Sequence, residues 1–151
     1  MSNAPASSAT DPQPMSGLET LRQLAASEHS VPIEATLDFR LVEIEEGRAV
    51  FEGAPSARVY NPIGTVHGSY AAALLDSACG CAVHATLGPG QGYSTAELKV
   101  AYHKAMTENT GPVRAEGKVI SRGRRLAFAE ARLTGRDGTL YASATSTLVL
   151  L

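Results

Sequence analysis

The sequence predicts an α+β protein in which a curved antiparallel sheet wraps around one long central helix. Three observations point there. Only one stretch, within "NPIGTVHGSYAAALLDSACGCAVHATLG" (Asn61 to Gly88), has the length and apolar content of a long helix. That stretch is apolar nearly all round, whereas a helix lying on a surface would show a polar stripe. Two strand-like segments precede it and four follow, joined by turn signals. A single helix with one meandering sheet has a simple solution, which is for the sheet to enclose the helix. The abundance of Ala and Gly in the helix lets the sheet close in tightly.

Taken in order, residues 1–15 are rich in Ser, Ala and Pro and read as a disordered segment ahead of one domain over 16–151. "SGLETLRQLAA" places Leu18, Leu21 and Leu24 at helical spacing behind a Ser16 cap, and its expected role is to cap the core. "EATLDFRLVEIEEGRAVFEGAP" reads as two strands from Glu34 onward, turning at Glu46-Gly47. After the central helix comes the loop "GPGQG". Four strands then follow: "YSTAELKVAYHKA", "GPVRAEGKVIS", "RLAFAEARLTG" and "TLYASATSTLVLL". "SRGRR" and "GRDG" turn the last three. The final strand carries apolar residues on both faces, so one covers the helix and the other suggests a subunit contact.

At 151 residues the chain has the size of a single domain with one core. Aromatic residues make up only 5% and Trp is absent, so Ala, Leu and Val must build that core. A net charge of -2 gives no global attraction for nucleic acid or anionic lipid. Cys79 and Cys81 are two apart on a helix, cannot bridge each other, and read as small packed thiols in a reducing compartment. The first residues lack the basic and apolar regions of a signal peptide. The apolar runs around Asp76 are too short for a membrane span. A cytoplasmic protein is the expectation. His67, His84 and His103 show no metal-ligand spacing, so neither a metal nor a cofactor is expected. "GPGQG" matches no phosphate-binding pattern, and no G-x-S-x-G is present.

The chemistry concentrates in the central helix. Asp76 is the one residue charged near neutral pH within "YAAALLDSACGCAV", and a charge there is costly unless it is paired or reaches solvent. A hydroxyl on Ser77 or Thr95 would satisfy it structurally. At the front of the helix, first-turn amides have no intrahelical acceptor and the dipole makes that end electropositive. Gly68 leaves its N–H unshielded, so a carbonyl oxygen acquiring negative charge can approach. Tight packing alone would also account for a glycine. Gly68 and Asp76 lie eight positions apart, about 12 Å along a helix axis. Two groups acting on one carbonyl must both lie within about 3 Å of it. If both are catalytic, each site takes one of them from a second copy, and the active unit is a two-fold dimer.

These residues carry a family likeness. The strand order, the enclosed helix and "N-P-x-G-x-V-H-G", with an Asp nine residues after the His, resemble the hotdog-fold thioesterases. Within these, the chain is similar to the phenylacetate-pathway (PaaI-type) and 4-hydroxybenzoyl-CoA thioesterase branch. The likeness spans roughly residues 35–150 and implies hydrolysis of an acyl-CoA thioester by a homodimer or a dimer of dimers. By resemblance, Gly68 supplies the oxyanion amide and Asp76 the helix carboxylate, as general base or nucleophile. Asn61 then orients substrate or water, and His67 shapes the helix start. Thr95, with Ser94 as the substitute, helps position water. Two departures are visible: Ser69 stands where the family usually has a second glycine, and Gly80 where some aryl-CoA members carry a hydroxyl. The second removes the support for a 4-hydroxybenzoyl preference in particular.

Arg122, Arg124 and Arg125 in "SRGRR" form the basic cluster best suited to CoA phosphates, although a solvated turn would read the same way. Two other functions use the same fold. A dehydratase or hydratase on acyl thioesters would pair a histidine with a carboxylate for proton transfer at carbon. A non-catalytic acyl-CoA-binding regulator would bring a DNA-binding segment, which the short neutral stretch before the first strand does not supply.

Overall fold

The computed structural model describes residues 14–27 and 31–151. The segment read as disordered lies outside the described residues as far as residue 13. Helix α1 (Gly17–Ala26) starts with a reciprocal cap: the Ser16 hydroxyl accepts the Glu19 N–H, and the Glu19 carboxylate accepts the Ser16 N–H. A short helix, α2 (Pro32–Leu37), comes next and ends at Asp38 in the left-handed conformation, with φ 56°. Here the structure corrects the sequence reading, which began a strand at Glu34. Pro32 sits in the first turn of α2, where its fixed φ and missing N–H favour a helix start. The buried Glu34 carboxylate accepts the N–H groups of Val31 and Leu41, and burial pushes its pKa up.

The first strands are β1 (Phe39–Glu45) and β2 (Arg48–Gly53), which pair across the Glu46-Gly47 turn. Gly47 has φ 76°, a conformation that glycine adopts without a steric penalty. The long helix α3 spans Gly68–His84. After it come β3 (Tyr93–Tyr102), β4 (Val113–Arg122), β5 (Leu126–Gly135) and β6 (Leu140–Leu150). All six strands form one antiparallel sheet in the order β1-β2-β4-β5-β6-β3. The sheet curves around α3, which is the hotdog architecture expected from the sequence.

Small residues make the wrap possible. Ala127, Ala129 and Ala131 of β5 are buried against the helix side, and the backbone at Gly117 in β4 touches the backbone of α3. A β-carbon at Gly117 would overlap the Ala78 carbonyl. Helix α1 fastens the far end: the Gly17 N–H donates to the Leu87 carbonyl at 3.0 Å, and Leu21 is buried. On the outer surface, Arg48 pairs with Glu43 and Glu116, and Arg114 pairs with Glu43 and Glu52, lacing β1, β2 and β4 together. Among the described residues no helix is long and apolar enough to cross a membrane.

Enclosure of α3 is incomplete. Ala72, Ala73, Asp76, Ser77, Cys81 and His84 are only half-buried, and Ser69 is exposed, while the rest of the helix beyond its first turn is buried. Their spacing of three and four traces one stripe along the helix. β3 lies beside this stripe and is an edge strand of the sheet, bonded only to β6.

Candidate functional site

The loop before α3 is built by Asn61. Its Oδ1 accepts the N–H groups of Ile63 and Thr65, both at 3.1 Å, and its Nδ2 donates to the Thr65 hydroxyl at 2.9 Å. An Asn side chain closing on its own backbone in this way makes a tight turn. The loop leads directly into His67, whose N–H donates to the Val59 carbonyl at 2.7 Å. The side chain of Asn61 thus shapes the entry to the helix and keeps one Nδ2–H without an acceptor among the described residues.

His67 is the N-cap. Its Nδ1 accepts the Ser69 N–H at 3.0 Å, with the Ser69 hydroxyl 2.7 Å away, and its carbonyl accepts the Tyr70 N–H at 3.0 Å. Because Nδ1 accepts, the neutral imidazole carries its proton on Nε2. Two of the first-turn amides are thereby occupied. The N–H of Gly68 has no acceptor among the described residues. It is left at the positive end of a 17-residue helix. A side chain at Ser69 leaves this cap intact, since His67 holds the Ser69 amide.

Gly68 also has a packing reason to be glycine. Tyr102 of β3 donates its hydroxyl to the Gly68 carbonyl at 2.9 Å, and its ring lies so close that a β-carbon on Gly68 would sit 3.0 Å from it. Tyr102 is 57% exposed, so this cover is a side chain able to move. Val66, His67, Gly68, Tyr102, Lys104 and Tyr141 border a cavity of about 310 Å³ at this end of the helix.

Two turns further on, the Thr95 hydroxyl of β3 donates to Asp76 Oδ1 at 3.0 Å. Asp76 is half-buried on the open stripe, so its charge is met both by a hydrogen bond and by solvent. The structure therefore selects Thr95 over Ser77 as the partner of this carboxylate. Ser94 pairs with Val149, and by strand alternation it faces the other side of the sheet. Asp76 and Thr95 come together within one chain; Gly68 and His67 come together at the helix start. The two groups stay apart by eight continuous helical positions, about 12 Å.

Arg122, Arg124 and Arg125 are exposed on the β4–β5 turn. Arg122 reaches Gln91 at 3.3 Å, which puts the cluster beside the 88–92 loop at the carboxy-terminal end of α3. Along one chain they are separated from Gly68 by nearly the full length of the helix, about 24 Å. Cys79 is buried, Cys81 is half-buried, and both are free thiols. Burial, together with the nearby Asp76 charge, pushes each thiol up to about 12, so neither forms a nucleophilic thiolate near neutral pH.

Two residues at the site escaped the sequence reading. Tyr102 covers Gly68, and Tyr93 packs against Gly80 and His84. Alternation along β3 puts Tyr93 on the same face as Thr95, which was the available signal. Only the register of β3 on α3, invisible in the sequence, brings both tyrosines onto helix glycines.

Comparison with known proteins supplies the family. The sequence model of the Thioesterase superfamily matches residues 63–142, a span that holds the helix start, Asp76 and Thr95. The chain belongs to the thioesterase superfamily. It is accordingly a thioester hydrolase. Over 115 residues it is 30% identical to an esterase-named protein of Saccharolobus solfataricus, covering 76% of this chain and 80% of the other. A structure from Ralstonia eutropha JMP134, named as a thioesterase and phenylacetic acid degradation-related protein, is 27% identical with a TM-score of 0.75. That match covers 85% of this chain and 97% of that one. The PaaI protein of the E. coli phenylacetic acid degradation operon has the same fold, with a TM-score of 0.77 at 17% identity, covering 90% and 96% of the two chains.

Proposed function

We propose that this thioesterase hydrolyses an acyl- or aryl-CoA ester to the free acid and CoA at two composite sites of a two-fold dimer. Each site combines the Gly68 N–H of one subunit with Asp76 of the other. The observation that carries this reading is the pair of unfinished groups on one helix. The Gly68 N–H has no acceptor among the described residues, and Asp76 Oδ2 has no hydrogen-bond donor among them. Antiparallel docking of two open stripes would bring each to the other's position, because a two-fold axis applies the same contact twice. The unpaired edge of β3 supports the same docking, since it would otherwise leave backbone groups without partners. Exposed Leu126, Phe128 and Val149 on the outer sheet surface support a further pairing of dimers.

At such a site Asp76, steadied by Thr95, takes a proton from a water as its oxygen bonds to the thioester carbon. The carbonyl oxygen becomes an oxyanion held by Gly68 N–H and the dipole of α3. When the tetrahedral centre collapses, the C–S bond breaks, and the sulfur leaves with the electron pair and receives the proton. Asn61 and His67 act by fixing the helix start rather than by touching the reacting atoms, although the exposed His67 Nε2–H can donate to the substrate. The arginine cluster is our candidate for the CoA phosphates. Two free thiols fit a reducing, cytoplasmic setting.

The test is release of free CoA, read with a thiol reagent over a panel of aryl-, short- and medium-chain acyl-CoAs. Asp76→Asn should lower kcat by at least about 100-fold while keeping the fold, since an amide retains shape but cannot take the proton. A folded Asp76→Asn protein with near-parental turnover would remove Asp76 from the mechanism. Replacing Arg122, Arg124 and Arg125 by Ala should raise KM for CoA esters more than it lowers kcat. A pantetheine thioester without the nucleotide phosphates should be insensitive to that change; equal losses on both substrates would move the phosphate site elsewhere.

A further inference from the structure

A second glycine on α3 marks a residue that the reaction above does not use. Gly80 lies one helical turn beyond Asp76. A β-carbon there would stand 2.8 Å from the Tyr93 hydroxyl and 3.0 Å from its ring, so the phenol occupies the space where any other side chain would begin. The same ring packs against His84 with centroids 5.5 Å apart. Tyr93 is half-buried, yet its hydroxyl has no hydrogen-bond partner among the described residues. Thr95 and Tyr93 share one face of β3, as Asp76, Gly80 and His84 share one face of α3. Two strand residues, about 6.6 Å, match one helical turn, about 5.4 Å, which keeps both pairs in register along the seam.

We propose that Tyr93 determines acyl specificity: its phenol is the wall on which the acyl group of the substrate ends, and residue 80 is glycine to admit it. This rests on the reading of Asp76 as the carboxylate at the reacting carbon. A thioester carbonyl held at Asp76 has two directions along the seam between α3 and β3. Toward Gly68 of the same chain lies the second active site of the dimer. Toward His84 the first obstacle is Tyr93. The wall is mixed in character, a flat apolar ring with a free hydroxyl on its rim. Burial holds the phenol well above its ordinary pKa, and burial also lowers His84, so both are neutral at pH 7. Such a wall accepts an uncharged acyl end and can hydrogen-bond a polar substituent at its tip.

The experiment compares kcat/KM over CoA esters of increasing chain length, together with an aryl ester, for the parent, Tyr93→Ala and Tyr93→Phe. Tyr93→Ala should raise the long-to-short ratio of kcat/KM by about 10-fold or more, since each methylene accommodated or refused is worth about that factor. Tyr93→Phe keeps the wall and should keep the length profile. Tyr93→Leu, which shortens the ring without emptying the space, carries the same expectation as Tyr93→Ala if the latter fails to fold. A stability cycle reads the contact without activity: Gly80→Ala should cost more in the parent than in the Tyr93→Ala background. An unchanged length profile in a folded Tyr93→Ala or Tyr93→Leu protein overturns the proposal. So does an equal change for every ester, which would put Tyr93 against the CoA arm. Neither result touches the role of Asp76, whose own test is turnover by Asp76→Asn in the Tyr93 parent.

Discussion

Helix α3 meets the sheet in two ways, and the contrast shows what glycine is for on each side. Against β4 the approach is backbone to backbone: Gly117 touches Ala78 and Cys79 with nothing movable between them. Around that contact the lining is aliphatic, with Ala127, Ala129, Ala131, Leu74 and Leu75 all buried. Against β3 the approach is through hydroxyls. Tyr102 lies on Gly68, Thr95 on Asp76 and Tyr93 on Gly80. Glycine permits a close approach in both places, but only the β3 side exchanges packing for polar groups with free valences. The sealed side supplies stability, so the open side can keep the Gly68 amide without an acceptor and one oxygen of the Asp76 carboxylate without a donor among the described residues.

The largest effect should come from testing that division with one substitution on each side. Propensity alone would favour Ala over Gly in a strand by about 0.5–1 kcal/mol. At Gly117 the sign should reverse, with a loss of about 3 kcal/mol, because a β-carbon meets main chain that cannot yield. Gly68→Ala meets the exposed Tyr102 ring, which can swing aside, and helix propensity offsets the cost. Its stability change should stay within about 1 kcal/mol, while hydrolysis, which on the proposed mechanism needs the approach to that amide, should fall. Denaturant unfolding of the two variants decides the matter. Equal losses at Gly117 and Gly68 would erase the distinction between the two sides.

A smaller effect sharpens the same contrast. Asp76→Asn, expected to remove most turnover on the proposed mechanism, should change stability by about 1 kcal/mol at most, since Asn still accepts the Thr95 hydroxyl. A much larger loss would mean that Asp76 belongs to the structural side of the helix rather than to the site.

The two sides were not equally legible in the sequence. The enclosed helix, the turn at Gly47 and the β4–β5–β6 meander follow from apolar content and turn residues, and the structure has them. The strand expected from Glu34 was a helix, because Pro32 in a first turn outweighs the apolar pattern that follows it. Asp76 and Gly68 stood out because a carboxylate and a bare amide are anomalies in an apolar helix. Thr95 as the partner of Asp76 was one of two hydroxyls open to choice, and the register of β3 decided it. Tyr93 and Tyr102 carried no anomaly of their own. An aromatic residue in a strand is ordinary, and its importance here comes from which helix glycine it covers, a long-range fact that no local pattern encodes.

The central claim is that each site borrows one of its two groups from a second subunit, and mixing two inactive proteins tests it most directly. One partner is Asp76→Asn and the other Gly68→Pro. Proline suits the first helical position, and His67 at φ -62° and ψ 137° has the extended backbone required before proline. That variant therefore removes the N–H while leaving the helix start in place. In a mixed dimer one site joins an intact Gly68 to an intact Asp76, and the other holds both lesions. Random exchange makes about half of the dimers mixed with one working site each, so activity should recover to about a quarter of the parent. With both variants folded and subunit exchange verified by native mass spectrometry, recovery near that level is the predicted result. No recovery at all would contradict the composite site.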